Sequence, residues 1–213
     1  MTSRITRPRT AGLLALVFVT VTGAGASGDE GRWVGTWAAA PQLTEPNNMP
    51  PEPGLADSTL RQVVHVSLGG NRLRVRFSNA FGTKSLKILS AHVAAPAGGA
   101  AIHPGSAKPL TFGGLTSVTI PTGAPIISDP IDFGLAPLSD LAVTIRVKDP
   151  TKAITGHPGA RCTSYLQRGD MVTEPDLPQA VHTPHWYYLC GVDVEAADAD
   201  RKTSCRERVC AIV

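Results

Sequence analysis

Glycine or proline interrupts nearly every interval between the apolar runs of this chain, and that punctuation constrains the fold more than any other feature. Gly98-Gly99, Pro104-Gly105, Gly113-Gly114, Pro121, Gly123, Pro130, Pro150 and Pro158-Gly159 recur along it, and no segment between them keeps a helical period with caps. What remains is short and β-prone: residues 59–68, 72–78, 85–93, 117–120, 126–133, 141–147, 161–166 and 186–194. Many short strands, many turns and almost no helix signal predict a mainly β fold, an antiparallel β-sandwich or jelly roll. The sandwich is expected over residues 59–194, preceded by a Pro-rich segment at 27–58 in which Pro46, Pro50, Pro51 and Pro53 exclude regular helix.

The first two β-prone runs flank Gly69-Gly70-Asn71, a turn able to supply positive φ, and so read as a β-hairpin. In the second arm Leu73, Val75 and Phe77 alternate with Arg72, Arg74 and Arg76, which sends one face inward and leaves three cations on the other. Such a row suits acidic ligands. It is more ordinarily a solvated strand face whose arginine stems shield apolar surface.

Arg4, Arg7 and Arg9 precede an uncharged apolar run at residues 11–21, and small residues ending in Ala24-Gly25-Ala26 follow. That order is the one found in secretory signal peptides, so residues 1–26 are expected to direct export and cleavage to follow Ala26. The apolar run is too short to span a bilayer, which takes about 20 residues. The formal charge of +3 is carried by those three arginines, and the rest of the chain is formally neutral. No whole-molecule field therefore favours nucleic acid or an anionic membrane as partner. In an exported chain the four cysteines, Cys162, Cys190, Cys205 and Cys210, allow three pairings. Cys162 with Cys190 is the favoured one, because both lie in strand-like segments whereas the others lie in a charged tail at 195–213.

The chemistry a β-fold enzyme needs is hard to find. A G-x-S-x-G elbow, an H-E-x-x-H helix, a phosphate-binding glycine loop and a dinucleotide fingerprint are all missing, so no catalytic, metal or cofactor residue is assigned. His182 and His185 form an H-x-x-H, but Pro184 between them argues for a plain polar loop rather than a metal site. Trp33, Trp37, Tyr187 and Tyr188 are the candidate ligand contacts, as aromatic surfaces for a polysaccharide. Burial is the commoner fate of such rings.

One stretch, Trp33-Val34-Gly35-Thr36-Trp37-Ala38-Ala39-Ala40-Pro41-Gln42, resembles the mature start of secreted SGNH/GDSL-type ester hydrolases. In the same order follow Thr59-Leu60-Arg61-Gln62, Arg74-Val75-Arg76-Phe77-Ser78-Asn79-Ala80-Phe81-Gly82, Pro109-Leu110-Thr111-Phe112-Gly113-Gly114, Ser128-Asp129-Pro130, Leu138-Ser139-Asp140-Leu141-Ala142-Val143 and Gly191-Val192-Asp193-Val194. The resemblance implies a β-rich region that accompanies an α/β/α catalytic domain, which hydrolyses acyl or acetyl esters of lipids or carbohydrates without a cofactor. It also implies a Gly-Asp-Ser block soon after Val194, later Gly and Asn blocks and an Asp-x-x-His. None of these occurs in the sequence, so the chain by itself is expected to be inactive, with a shifted frame or early stop behind the tail. The alternative expectation is a free-standing carbohydrate-binding sandwich.

Overall fold

The computed structural model describes residues 32–195; the expected signal peptide and the cysteines Cys205 and Cys210 lie outside them. In chain order the strands are β1 (Trp33–Ala38), β2 (Gln42–Leu43), β3 (Ser58–His65), β4 (Gly70–Ser78), β5 (Leu86–Ala94) and β6 (Pro96–Gly98). Then come β7 (Ala101–Ile102), β8 (Lys108–Pro109), β9 (Val118–Ile120), β10 (Pro125–Ile127), β11 (Ile131–Leu135) and β12 (Asp140–Val147). The last are β13 (Thr155–His157), β14 (Ser164–Arg168), β15 (Val181–Thr183), β16 (Trp186–Tyr187) and β17 (Leu189–Glu195). The only helical pieces among the described residues are two three-residue 3-10 turns, each opened by a proline.

These strands form a mainly β, antiparallel sandwich. One sheet runs β1-β17-β4-β10, with β11 beside β10 on the same edge of β4. The larger runs β15-β14-β3-β12-β5-β8, with β9 also on β5. β16-β13-β2 make a third, three-stranded sheet, and β6-β7 is a small hairpin. The core lies where the two main sheets face each other. Leu73, Val75 and Phe77 of β4 and Val192 and Val194 of β17 meet Leu60 and Val64 of β3 and Leu141, Val143, Ile145 and Val147 of β12, all essentially sealed from water. Each such side chain contributes about 1.5–3 kcal/mol by burial.

The strand positions agree with the punctuation, but the expected 59–78 hairpin does not form. β3 pairs with β12 and β14, β4 pairs with β17, β10 and β11, and the two belong to opposite sheets. The glycines between them are not a positive-φ turn. A Cβ on Gly69 would stand 2.5 Å from the Leu135 carbonyl, and one on Gly70 3.0 Å from the Glu195 carbonyl. Glycine is needed there because the chain crosses between layers against other backbone. Thr36 and Ser139 hold that crossing: Thr36 Oγ1 donates to the Leu68 carbonyl and accepts its N–H, and the Ser139 carbonyl accepts the Val66 N–H.

Two long runs are also divided. Ser128-Asp129-Pro130 separates β10 from β11, and there Ser128 takes over the pairing with Val75 through both its N–H and its hydroxyl. Tyr188, at φ 62°, turns the chain between β16 and β17. Part of the segment expected to precede the sandwich is integral to it, since β1 pairs with β17 from Trp33↔Glu195 to Ala38↔Gly191. Among the described residues no helix is long and apolar enough to cross a membrane.

Candidate functional site

The four aromatic candidates do not form a platform. Trp37 packs edge-on against Trp186 at 4.7 Å and is buried. Tyr187 and Tyr188 are buried as well, the Tyr187 hydroxyl donating to the Asn48 carbonyl. Burial pushes the Tyr188 phenol far above its ordinary range. Trp33 alone is partly open, and the Arg74 guanidinium lies 4.6 Å from its ring centre with Arg72 at 5.9 Å. The sequence could place these rings in strands. It could not tell which face of the strand each would take once Gly35 and Trp37 straddle a register shift in β1.

The arginine row is where an acidic ligand was conceivable, and the small sheet neutralises it internally. Across its outward face Trp33, Glu195, Arg72 and Asp132 stand side by side on β1, β17, β4 and β11. Arg72 meets Glu195 at 3.1 Å and Asp132 at 3.5 Å. Asp193, almost fully buried, takes Arg74 Nε at 3.0 Å and Arg76 Nη2 at 2.8 Å on its two oxygens. Gly191 lets the Arg76 guanidinium lie flat, since a Cβ there would be 2.6 Å from Nε. Three cations facing three carboxylates leave no net positive surface for an anion.

Buried polar side chains do the joining elsewhere. Arg61, wholly buried, donates from Nε to Thr144 Oγ1 and from its two terminal nitrogens to the Ala100 and Glu174 carbonyls. Burial lowers its pKa, partly offset by Asp176. Gln62 exchanges two hydrogen bonds with the Tyr187 backbone, at 2.6 and 3.1 Å. Asn79 donates to the Lys84, Ile120 and Pro121 carbonyls. Asp129 accepts from Gly113 N–H, Gly114 N–H and Thr111 Oγ1 at 2.7–2.9 Å, and these bonds, Gly114's first, hold its carboxyl below the ordinary aspartate value.

The expected Cys162–Cys190 bridge is corrected: both are free thiols. Cys190 belongs to the small sheet, its Sγ against the Arg76 carbonyl, whereas Cys162 is exposed ahead of β14 in the large sheet. Burial raises both thiols, that of Cys190 to about 11. His182 packs edge-on against Tyr165, and His185 Nδ1 bonds the Pro158 carbonyl, so their rings serve separate neighbours. Among the described residues no three His, Cys, Asp or Glu side chains are grouped to hold a metal. Compared with models of known protein families the chain matches none, and no curated protein matches it.

Proposed function

We propose that this chain is the β-sandwich scaffold of a secreted SGNH/GDSL-type ester hydrolase, with the hydrolytic chemistry supplied by a domain whose Gly-Asp-Ser block is not in this sequence. One observation carries the reading. The motifs of the resemblance coincide with the side chains that tie the sandwich together: Arg61 and Gln62, Asn79, the Thr111-to-Gly114 cradle around Asp129, and Asp193 between two arginines. Buried polar joints demand particular side chains at particular places, and that demand is what a shared scaffold leaves in a sequence.

The reading assigns ester hydrolysis to the parent enzyme and none to this chain. A nucleophile, its base and oxyanion donors act as a unit, and none of the family's blocks for them is present. The test is the genomic sequence downstream of codon 194, translated in all frames. A Gly-Asp-Ser block shortly after it and an Asp-x-x-His further on are expected. Their absence from every frame refutes the proposal, as does turnover of p-nitrophenyl acetate by the purified chain.

The competing polysaccharide module, as drawn from Trp33, Trp37, Tyr187 and Tyr188, has lost its support. Three of those rings are inside the protein and the fourth faces two arginines.

A further inference from the structure

β14 and β3 stay paired from Arg168↔Ser58 as far as Ser164↔Gln62, and there they part. Val63 and His65 continue along β3, with Asp140 of β12 opposite His65, while Cys162 and Thr163 lead away on the other side. Pro96, Gly98 and Gly99 of the small hairpin complete the rim. The gap is a recess of about 350 Å³ on the outer face of the large sheet, within the ordinary range for small-molecule sites.

Left-handed backbone leads into two of its lining residues, although neither left-handed residue lines the recess itself, and Arg161 takes that form as the cap of the 3-10 turn at Pro158–Ala160. Leu138, two residues before Asp140, sits at φ 54°, and Arg161, just before Cys162, at φ 52°. A bulky leucine in the left-handed region is uncommon, and such strain gathers at binding and active sites. Leu138 gains no burial in exchange, being 73% exposed.

The polar groups in the recess have capacity to spare. His65 Nδ1 and Asp140 Oδ1 are 2.8 Å apart, which orients the imidazole and leaves Nε2 and the second carboxylate oxygen without a partner among the described residues. Among the described residues the Thr163 hydroxyl and the Tyr165 phenol make no protein hydrogen bond either, and Val63, Pro96 and Tyr165 add apolar atoms to the same lining. The lining includes no lysine or arginine, and the Asp140 carboxylate repels anions. Burial first, and Asp140 with it, holds the Cys162 thiol above its ordinary value, so Cys162 brings no negative charge to the recess, while its exposure keeps it open to a small alkylating reagent.

We infer that this recess binds a neutral polyhydroxylated ligand, one or two sugar rings of a glycan. Alternating hydroxyls and C–H faces match donors and acceptors interleaved with apolar walls, whereas inorganic phosphate lacks the apolar half, a fatty acyl chain lacks the polar half, and a uronate sets its carboxylate against Asp140 with no lysine or arginine in the lining to offset it. The inference is independent of the hydrolase proposal, since it rests on the recess alone.

Cys162 supplies the reporter. The purified chain is alkylated with N-ethylmaleimide in the presence of cellobiose, xylobiose, mannobiose or chitobiose, with methyl glucuronide and inorganic phosphate as anionic counterparts, and the Cys162 peptide is quantified by mass spectrometry. At least one neutral disaccharide should slow labelling in proportion to occupancy, about tenfold at ten times its Kd. The two anions should not. Asp140→Asn should weaken that protection by about tenfold, as loss of a charge-assisted hydrogen bond does, and Thr163→Trp, at an exposed position, should abolish it by filling the recess. No protection from any of the four disaccharides, equal protection by phosphate or glucuronide, or protection unchanged in Thr163→Trp overturns the inference. The genomic test of the preceding proposal is untouched by any of these results.

Discussion

Arg61→Met is the sharpest probe of how the large sheet keeps its outer layer. The substitution preserves most of the apolar stem and removes three donors, leaving Thr144 Oγ1 and the Ala100 and Glu174 carbonyls without them. A buried acceptor stripped of its partner costs about 1–3 kcal/mol. Both carbonyls belong to loops that can admit water, so the three together come to about 4 kcal/mol gross. Against that stands the desolvation of a wholly buried guanidinium, the same burial that lowers its pKa. Relief of a buried charge returns about 1–2 kcal/mol. The net loss expected is about 2–3 kcal/mol, or roughly 4–12 °C in Tm for a domain of this size. Urea unfolding followed by tryptophan fluorescence measures it, and hydrogen exchange should rise at residues 98–102 and 171–177, the loops that Arg61 clamps. A midpoint at or above the parent's, with those loops still protected, would mean that the guanidinium barely offsets its own burial and that the loops are held by something else.

Gly69→Ala should destabilise by about 1–3 kcal/mol through overpacking, because its Cβ would press on the Leu135 carbonyl and Pro137; a neutral result in urea unfolding would refute the need for glycine at the crossing. Asp129 ionises more readily in the folded chain than in the unfolded one, so its contribution is fully present above about pH 4 and is lost as the pH falls through its lower folded value. Asp129→Asn should therefore flatten the acid limb of stability against pH, and a limb of unchanged slope would refute the cradle's role. Without added sugar at neutral pH, N-ethylmaleimide should modify exposed Cys162 well before Cys190, whose buried thiol is held up to about 11. Simultaneous labelling of the two peptides would contradict that ordering.

The mainly β class and most strand positions were legible because Gly and Pro mark strand ends locally and because β4 alternates cleanly, with Leu73, Val75 and Phe77 inward. Sheet membership was not. Whether Gly69-Gly70 turns a hairpin or crosses between layers depends on Leu135 and Glu195, far away in sequence, and no local pattern contains them. The arginine row was visible, but its carboxylate partners lie on β11 and β17, so a face that looks cationic by itself is balanced once the sheet forms. Arg61 is harder still to read: a charged residue in an apolar run ordinarily points to solvent, and it is buried only because two loops fold over it. The recess was invisible for a similar reason. His65, Asp140 and Cys162 come from three elements, and nothing in their spacing announces that β3 and β14 diverge beside them.

The pairing of β1 with β17 decides how this domain would bear load. The chain enters at Trp33 and leaves at Glu195, neighbours across one antiparallel ladder. Tension applied through those two points meets the hydrogen bonds one after another from the Trp33 end, as a zipper is opened, instead of loading them together in shear. A sandwich that resists denaturant can thus yield to a small pull at its points of attachment. In synthesis the same arrangement leaves β1 without its neighbour until β17 has been made, since the ladder joins the first and last strands of the described residues.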